Sequence, residues 1–493
     1  MPSSADASSQ ARGRFGKDVL RLASGASLAQ VLNFLITPIL TRIFPPEAFG
    51  VAGEFVSIIT IAGVVASLRY ELAIMLPAEE EEAGNVLATT LMVVFASSTL
   101  VALFLFFFGA PLLKAWGLEV LLPYQWAIPI TMALAGIIQA FTYWHSRHQR
   151  FGTLAWMRLL RSIGRNGVAL GAGLLKITSA TGLIIGSISG YAAAAAFLVI
   201  KTLKHDLALL KRAIAAPQMI ASLKRYRKFP LYSSWGGILN ALSWQVPVLL
   251  LGIYFSAEVV GYYSLSRTLL QIPSQLIGGA VAEVFYQRGA VAKQEGSLAR
   301  VLEGLFVRLV RLGFFPIIVM AFAIHDTATF LLGNQWGEVG VFAQILSISI
   351  ATGFIAAPLG RVFSILERQE VVFTINALFV VGRISSIWIG HLLNSAVIAL
   401  GLFSVVSAVL YLGYSFWAFR ATGISPRVWY QHLGKAAALS AVVVGAILLL
   451  RAFAHWGLWQ WLFFYSVVGL FYGLWLWRVD AELRRQLLAW WPF

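Results

Sequence analysis

The chain has no cysteine in its 493 residues. That excludes disulfide staples, thiol nucleophiles and thiolate metal ligation together. Charge is scarce and one-sided: Asp, Glu, Lys and Arg make up 12% of the residues, with 21 Asp plus Glu against 37 Lys plus Arg. There is no Gly-x-x-x-x-Gly-Lys-Ser/Thr loop to cradle a nucleotide and no His-Glu-x-x-His to hold zinc. No pair of carboxylates falls deep within an apolar stretch, where a metal or sodium site would need one. No cofactor and no metal are therefore expected. A soluble basic domain is also missing, so the net charge of +16 does not point to nucleic acid. Residues 1–18 are polar and lack the apolar core of a signal peptide, which makes them an expected cytosolic tail.

What the chain does have is apolar length. Hydrophobic residues reach 59% and the mean hydropathy is +0.79, which places it in the membrane class. A membrane-crossing helix needs about 20 mostly apolar residues. On that ruler the sequence predicts fourteen spans between residues 19 and 478. Basic residues test the count, because cytosolic loops carry an excess of Lys and Arg. With the amino-terminal tail inside, the even-side segments hold 25 of the 37 basic residues. The opposite side holds only Arg42, Lys114, Lys176 and Arg451. A missing or extra span would scramble that bias downstream. Both termini are expected in the cytosol.

A repeat is visible at a constant offset. Phe44-Pro-Pro-Glu47-Ala-Phe-Gly50 joins spans one and two, and Phe255-Ser-Ala-Glu258-Val-Val-Gly261 joins spans seven and eight. Both read Phe-x-x-Glu-x-x-Gly, with Lys17 and Lys228 preceding the two hairpins at the same distance. An even number of spans separates the copies, so they share orientation, as in transporters built of parallel halves. The expected organisation is all-α and polytopic, with two pseudo-symmetric six-helix lobes plus two C-terminal helices. In residues, this gives a tail over 1–18 and an N-terminal lobe over 19–201. A basic cytosolic linker over 202–228 and a C-terminal lobe over 229–420 follow, and the extra helices and tail take 421–493.

Eight arginines are left inside, or just within the ends of, the predicted spans: Arg69, Arg158, Arg161, Arg165, Arg267, Arg308, Arg311 and Arg383. Charge at membrane depth usually faces a bundle interior or a watery cavity. Arg158, Arg161 and Arg165 recur at i, i+3 and i+7 and share one helix face, with Asn166 beside them. At 1.5 Å per residue, Arg165 falls roughly 16 Å from the inner end. Arg383 is comparably deep on the eleventh span, the counterpart of the fifth. Arg267 precedes Gln271 by one turn in the eighth span, and Asn33 adds a polar group to the first. Guanidinium groups stay charged and grip phosphate oxygens through paired hydrogen bonds. The candidate substrate-binding set is thus Arg165, Arg383, Arg161, Arg267, Arg69, Asn166, Gln271 and Asn33, with Arg158, Arg308, Arg311 and Glu71 at the cytosolic mouth. Gly182, Gly186 and Gly190 stripe the sixth span as a packing face. The run Glu79 to Glu82 reads as a solvated cytosolic loop. Glu54 and Glu283, near helix ends, are secondary candidates for proton coupling.

Two stretches carry a family resemblance. One runs from Ser24-Gly-Ala-Ser27 through Thr37-Pro38 and Thr41-Arg42 to Leu68-Arg69-Tyr70-Glu71 and Pro77. The other runs from Tyr232-Ser-Ser to Gly261-Tyr-Tyr-Ser264. The chain resembles the polysaccharide-biosynthesis branch of the multidrug/oligosaccharidyl-lipid/polysaccharide (MOP) exporters, the Wzx-type oligosaccharide flippases. The resemblance implies two facing lobes, a cationic central cavity, and no bond-breaking chemistry. The implied substrate is a polyprenyl-diphosphate-linked oligosaccharide, flipped from the cytosolic to the periplasmic leaflet of a bacterial inner membrane by alternating access. Expected partners are that glycan lipid, the bilayer and the polysaccharide polymerase machinery, with a monomer as the working unit. The alternatives are a multidrug or cation exporter, which would need a deep carboxylate, and a flippase for a peptidoglycan lipid precursor. Relatives of the last kind use arginines on spans one, two and eight. Arg69 and Arg267 fit that pattern, but the mid-depth part of span one has no arginine.

Overall fold

The computed structural model describes residues 28–274, 289, 292–454 and 456–479. The expected tail 1–18, Lys17 and Glu283 lie outside the described residues. Within them the chain is helical throughout, with no strand. The first part runs α1 (Leu28–Ile43), α2 (Pro46–Ala66), α3 (Glu80–Ala115), α4 (Ala127–Arg147), α5 (Phe151–Leu174), α6 (Ala180–Ala213) and α7 (Ala216–Arg225). Then come α8 (Phe229–Tyr254), α9 (Ala257–Leu270), α10 (Leu298–Leu332), α11 (Asn334–Ile365) and α12 (Gln369–Leu392). The series ends with α13 (Ala396–Ala421), α14 (Pro426–Phe453) and α15 (Leu458–Val479).

Eleven of these helices are long and apolar enough to cross a membrane, and α1 is a shorter apolar helix. The 24-residue α5 falls outside that group. Its length suffices; its arginines lower its apolarity. Fourteen crossings were expected from apolar length and charge bias together. Among the described residues length and composition give eleven, with α1 and α5 falling short and the eighth expected span running into residues outside those described.

Three local features depart from the sequence reading. The second span was expected to run unbroken to residue 75. It stops at Ala66, because Leu68 and Arg69 take left-handed backbone angles (φ 47 and 64), and a short 3₁₀ turn over Tyr70–Met75 follows. Such angles are uncommon for residues other than glycine and mark stored strain. The Glu79 to Glu82 run is no open loop. Glu80, Glu81 and Glu82 form the first turn of α3, where negative charge suits the positive end of the helix dipole. The segment 202–228, expected as a linker, is largely helical, since α6 continues to Ala213 and α7 follows. Asn85, 1% exposed, ties it down: its amide donates to the Ala213 carbonyl (2.7 Å) and the Gln218 side chain (2.8 Å), and its oxygen accepts from the Ala215 N–H (3.0 Å). Further on, Asp206 accepts from Trp144 (2.9 Å) and from both ends of the Arg150 fork (2.6 and 2.7 Å). That bond holds the Arg150 guanidinium above its ordinary pKa.

Packing divides the chain into two compact units. One contains residues up to Ser264 together with Asn376–Ala396; the other contains Leu265–Ile375 together with Val397–Phe493. In the first unit, Phe44, Phe55 and Trp144 are fully enclosed. Lipid tails are as apolar as leucine, so close fit rather than exclusion from water holds such helices together. The repeat motif shows this at its tightest. A Cβ on Gly50 would collide with the Ala257 carbonyl, and one on Gly261 would collide with the Pro46 carbonyl. In the second unit, Arg451 of α14 pairs with Asp326 of α10 (2.8 Å), and the Tyr465 hydroxyl of α15 donates to the same carboxylate (2.5 Å). That acid ties both of the last helices to α10, alongside bonds from Arg451 to the Phe322 carbonyl (3.4 Å) and from the Tyr472 hydroxyl to the Arg311 carbonyl (2.6 Å).

Candidate anion-binding site

The site grows from α5. Its three arginines occupy one face, and all three are exposed rather than packed away. They open onto a polar recess of about 220 Å³ in the first unit, shared with Asn33 of α1, Val56 of α2, and Ser187 and Tyr191 of α6. The Arg161 guanidinium lies 4.0 Å from the centre of the Tyr191 ring, a cation–π contact that fixes its plane while leaving its N–H edge available. Asn33 is the polar hub: its side-chain oxygen accepts from the Ser162 hydroxyl (2.7 Å) and the Asn166 amide (2.6 Å). These bonds lock α1 to α5 and satisfy donors that are themselves buried.

The glycine stripe of α6 sets the depth of the recess. A Cβ on Gly186 would come within 2.7 Å of the Arg165 carbonyl, and one on Gly190 within 2.7 Å of the Arg161 carbonyl. Glycine there lets the backbones of α5 and α6 touch, which brings Ser187 and Tyr191 level with the arginines.

Electrostatically the recess is one-sided. Among the described residues, Arg158, Arg161 and Arg165 have no carboxylate within ion-pair distance, whereas Arg147, Arg150, Arg212 and Arg225 in the same unit each have one. Three unneutralised guanidinium groups around one polar hollow offer the charge and the N–H donors that a multiply charged anion with several oxygens would require.

The other expected site residues lie elsewhere. Asn166 is 5% exposed and supports the hub from behind. Arg383 is 3% exposed. It donates to the Ser243 carbonyl and hydroxyl (3.1 Å to the latter), between the rings of Trp244 and Phe379, and does not line the recess. Arg69 sits at the break after α2, 3.5 Å from Glu71, with its Nε and one Glu71 oxygen buried and unbonded. Arg267, Gln271, Arg308 and Arg311 belong to the second unit; all four are partly buried, and Arg311 sits in a π-helical turn of α10. Sequence reasoning missed Ser162, Ser187 and Tyr191. Ser162 was findable, one position from Arg161 on the arginine face. Ser187 and Tyr191 lie i, i+4 beside the glycine stripe, but nothing local says which helix that stripe packs against.

The fold defines the class. A solved structure of the lipid II flippase MurJ in an inward closed conformation superposes with a TM-score of 0.70 at 12% identity, covering 94% of this chain and 98% of that one. An inward-facing multidrug resistance MATE family transporter of the MOP superfamily matches at a TM-score of 0.61 and 14% identity, over 80% of this chain and 94% of that one. The chain thus shares its fold with both of these structures. The family described as "Polysaccharide biosynthesis protein" matches residues 39–341, and the chain belongs to it. The succinoglycan biosynthesis transport protein ExoT of Rhizobium meliloti (strain 1021) is 24% identical over 401 residues, 79% of this chain and 77% of its own. The teichuronic acid biosynthesis protein TuaB of Bacillus subtilis (strain 168) is 24% identical over 157 residues, 31% of this chain and 32% of its own. The family expected from the sequence is the one found.

Proposed function

We propose that the protein flips a polyprenyl-diphosphate-linked oligosaccharide from the cytosolic to the periplasmic leaflet of a bacterial inner membrane, for cell-surface polysaccharide synthesis. The observation that carries this reading is the trio Arg158, Arg161 and Arg165 facing one polar recess without a carboxylate partner. A diphosphate offers the charge and the oxygens those forks require. Relatives named for succinoglycan biosynthesis transport and for lipid II flipping support the substrate class. The diphosphate docks at the recess, and Arg161, held over Tyr191, orients it. The polyprenyl chain stays in lipid, and alternating exposure of the site carries the headgroup across. No covalent bond is made or broken. A cation exporter of the same fold fits poorly, because three unpaired guanidinium groups repel its cargo.

The test replaces Arg161 and Arg165 singly with Ala and Lys in cells that display the polysaccharide. Each charged hydrogen-bond set contributes roughly 1.5–3 kcal/mol, so the Ala variants should lose export by about tenfold or more and accumulate lipid-linked glycan inside. Lys variants should recover part of it, having charge without the fork. Normal surface polysaccharide from both Ala variants at normal protein level removes the assignment.

A further inference from the structure

A second concavity lies on the first unit, away from the arginines. It is a groove of about 690 Å³ between α3, α4 and α6, within the roughly 300–1,000 Å³ of small-molecule sites. Leu87, Phe141 and Leu210 form a buried floor; Leu203, Leu207 and Ile214 stand exposed along its rim. Its one charged lining residue is Lys211, which is exposed.

The surrounding charges decide what that lysine can bind. The acidic run at the start of α3 would repel an anion, but three of its four carboxylates are already engaged. Glu80 pairs with Arg147 (3.4 Å) and His148 (3.2 Å), Glu81 with Arg212 (3.1 Å) and Glu82 with Arg225 (2.5 Å). Among the described residues, Lys211 pairs with no carboxylate. Lys201 and Lys204 lie on the same end of α6, and no acid but Asp206, already held by Arg150, lies between them and Lys211. An apolar trough closed by an uncommitted cation at its basic end has the shape and charge of an anionic phospholipid. We propose that this groove is a specific site for one such lipid, its acyl chain along Leu203 and Leu207 and its phosphate at Lys211. Bound there, the lipid fills the seam between α3 and α6 beside the Asn85 junction.

The experiment measures retention of phosphatidylglycerol against phosphatidylcholine of identical acyl chains on the full-length purified protein, by native mass spectrometry. The wild type should prefer phosphatidylglycerol. Each surface charge contributes on the order of 1 kcal/mol to anionic-lipid binding, so Lys211→Glu should cut that preference roughly tenfold or more. Leu207→Trp, which fills the trough, should weaken both lipids. Lys114→Glu, at the far end of α3, should change neither. Thermal melts of each variant confirm that the fold persists, and Lys211→Gln supplies a milder substitution with the same sign. Equal retention of the two lipids by the wild type means annular lipid only and overturns the proposal. An equal loss with Lys114→Glu, or displacement of phosphatidylglycerol by an equal amount of polyprenyl phosphate, overturns it as well.

Discussion

Gly50 packs against the carbonyl of Ala257, and Gly261 packs against the carbonyl of Pro46. Each glycine is the last residue of its Phe-x-x-Glu-x-x-Gly motif, and each carbonyl belongs to the third residue of the other copy. The contact is therefore the same in both directions, as across a two-fold axis. The two hairpins recognise each other through backbone, with no room for a side chain at either point.

The consequence is measurable. Gly50→Ala and Gly261→Ala should each cost roughly 1–3 kcal/mol by overpacking, seen as a lower melting temperature of the purified protein. The double variant should cost less than the sum, because the first methyl already separates the hairpins and makes space for the second. Strict additivity would mean that the two contacts are independent.

Tyr191 gives a separate handle on the recess. Its ring under Arg161 contributes on the order of 0.5–2 kcal/mol. Tyr191→Leu should therefore weaken binding of a soluble diphosphate probe several-fold, while Tyr191→Phe, which keeps the ring face, should bind as the wild type does. Titration calorimetry on the purified protein distinguishes the two; a Phe variant as weak as the Leu variant would assign the effect to the hydroxyl.

Asn33 should matter through its neighbours. Its oxygen serves both Ser162 and Asn166, so Asn33→Leu leaves two buried donors with only longer acceptors, the Ala29 carbonyl (3.4 Å) and the Ser162 hydroxyl (3.3 Å), at a cost of roughly 1 kcal/mol or more each. The expected result is a lower melting temperature, with part of the loss recovered in Asn33→Asp, which keeps the acceptor. No change in melting would show that water replaces the bond at no cost.

In the second unit, Asp326 holds Arg451 and Tyr465 together, with side chains of Asp326 and Arg451 at 8% and 21% exposure. Removing one member of a largely buried pair strands the other. Asp326→Ala should destabilise by about 3 kcal/mol, and Asp326→Ala with Arg451→Leu should recover much of it. Proteolysis near residues 454–457, between α14 and α15, provides a local readout beside the melting curve.

The helices were legible because apolar length and period are local properties of the chain. Their ends were not. Apolarity stops counting at the membrane face, while α6 runs on to Ala213 on bonds from Arg150 and Asn85, residues distant in sequence. The break at Leu68 and Arg69 was invisible because neither residue is Gly or Pro. The arginine triad was legible because residues three and seven apart share a helix face whatever surrounds them. Arg383 was not, since its acceptor is the carbonyl of Ser243, 140 residues away.

The sequence by itself determined an all-helical membrane chain, a doubled hairpin motif, and one helix with a cationic face. Tertiary structure decided which of those cations share a recess. Arg161 and Arg165 meet Asn33, Ser187 and Tyr191 and find no acid, whereas Arg383 is absorbed by a neighbouring backbone. The reason is physical: helical spacing fixes where a side chain points, but only the helix packed against it supplies the partner that neutralises it or leaves it open to a ligand.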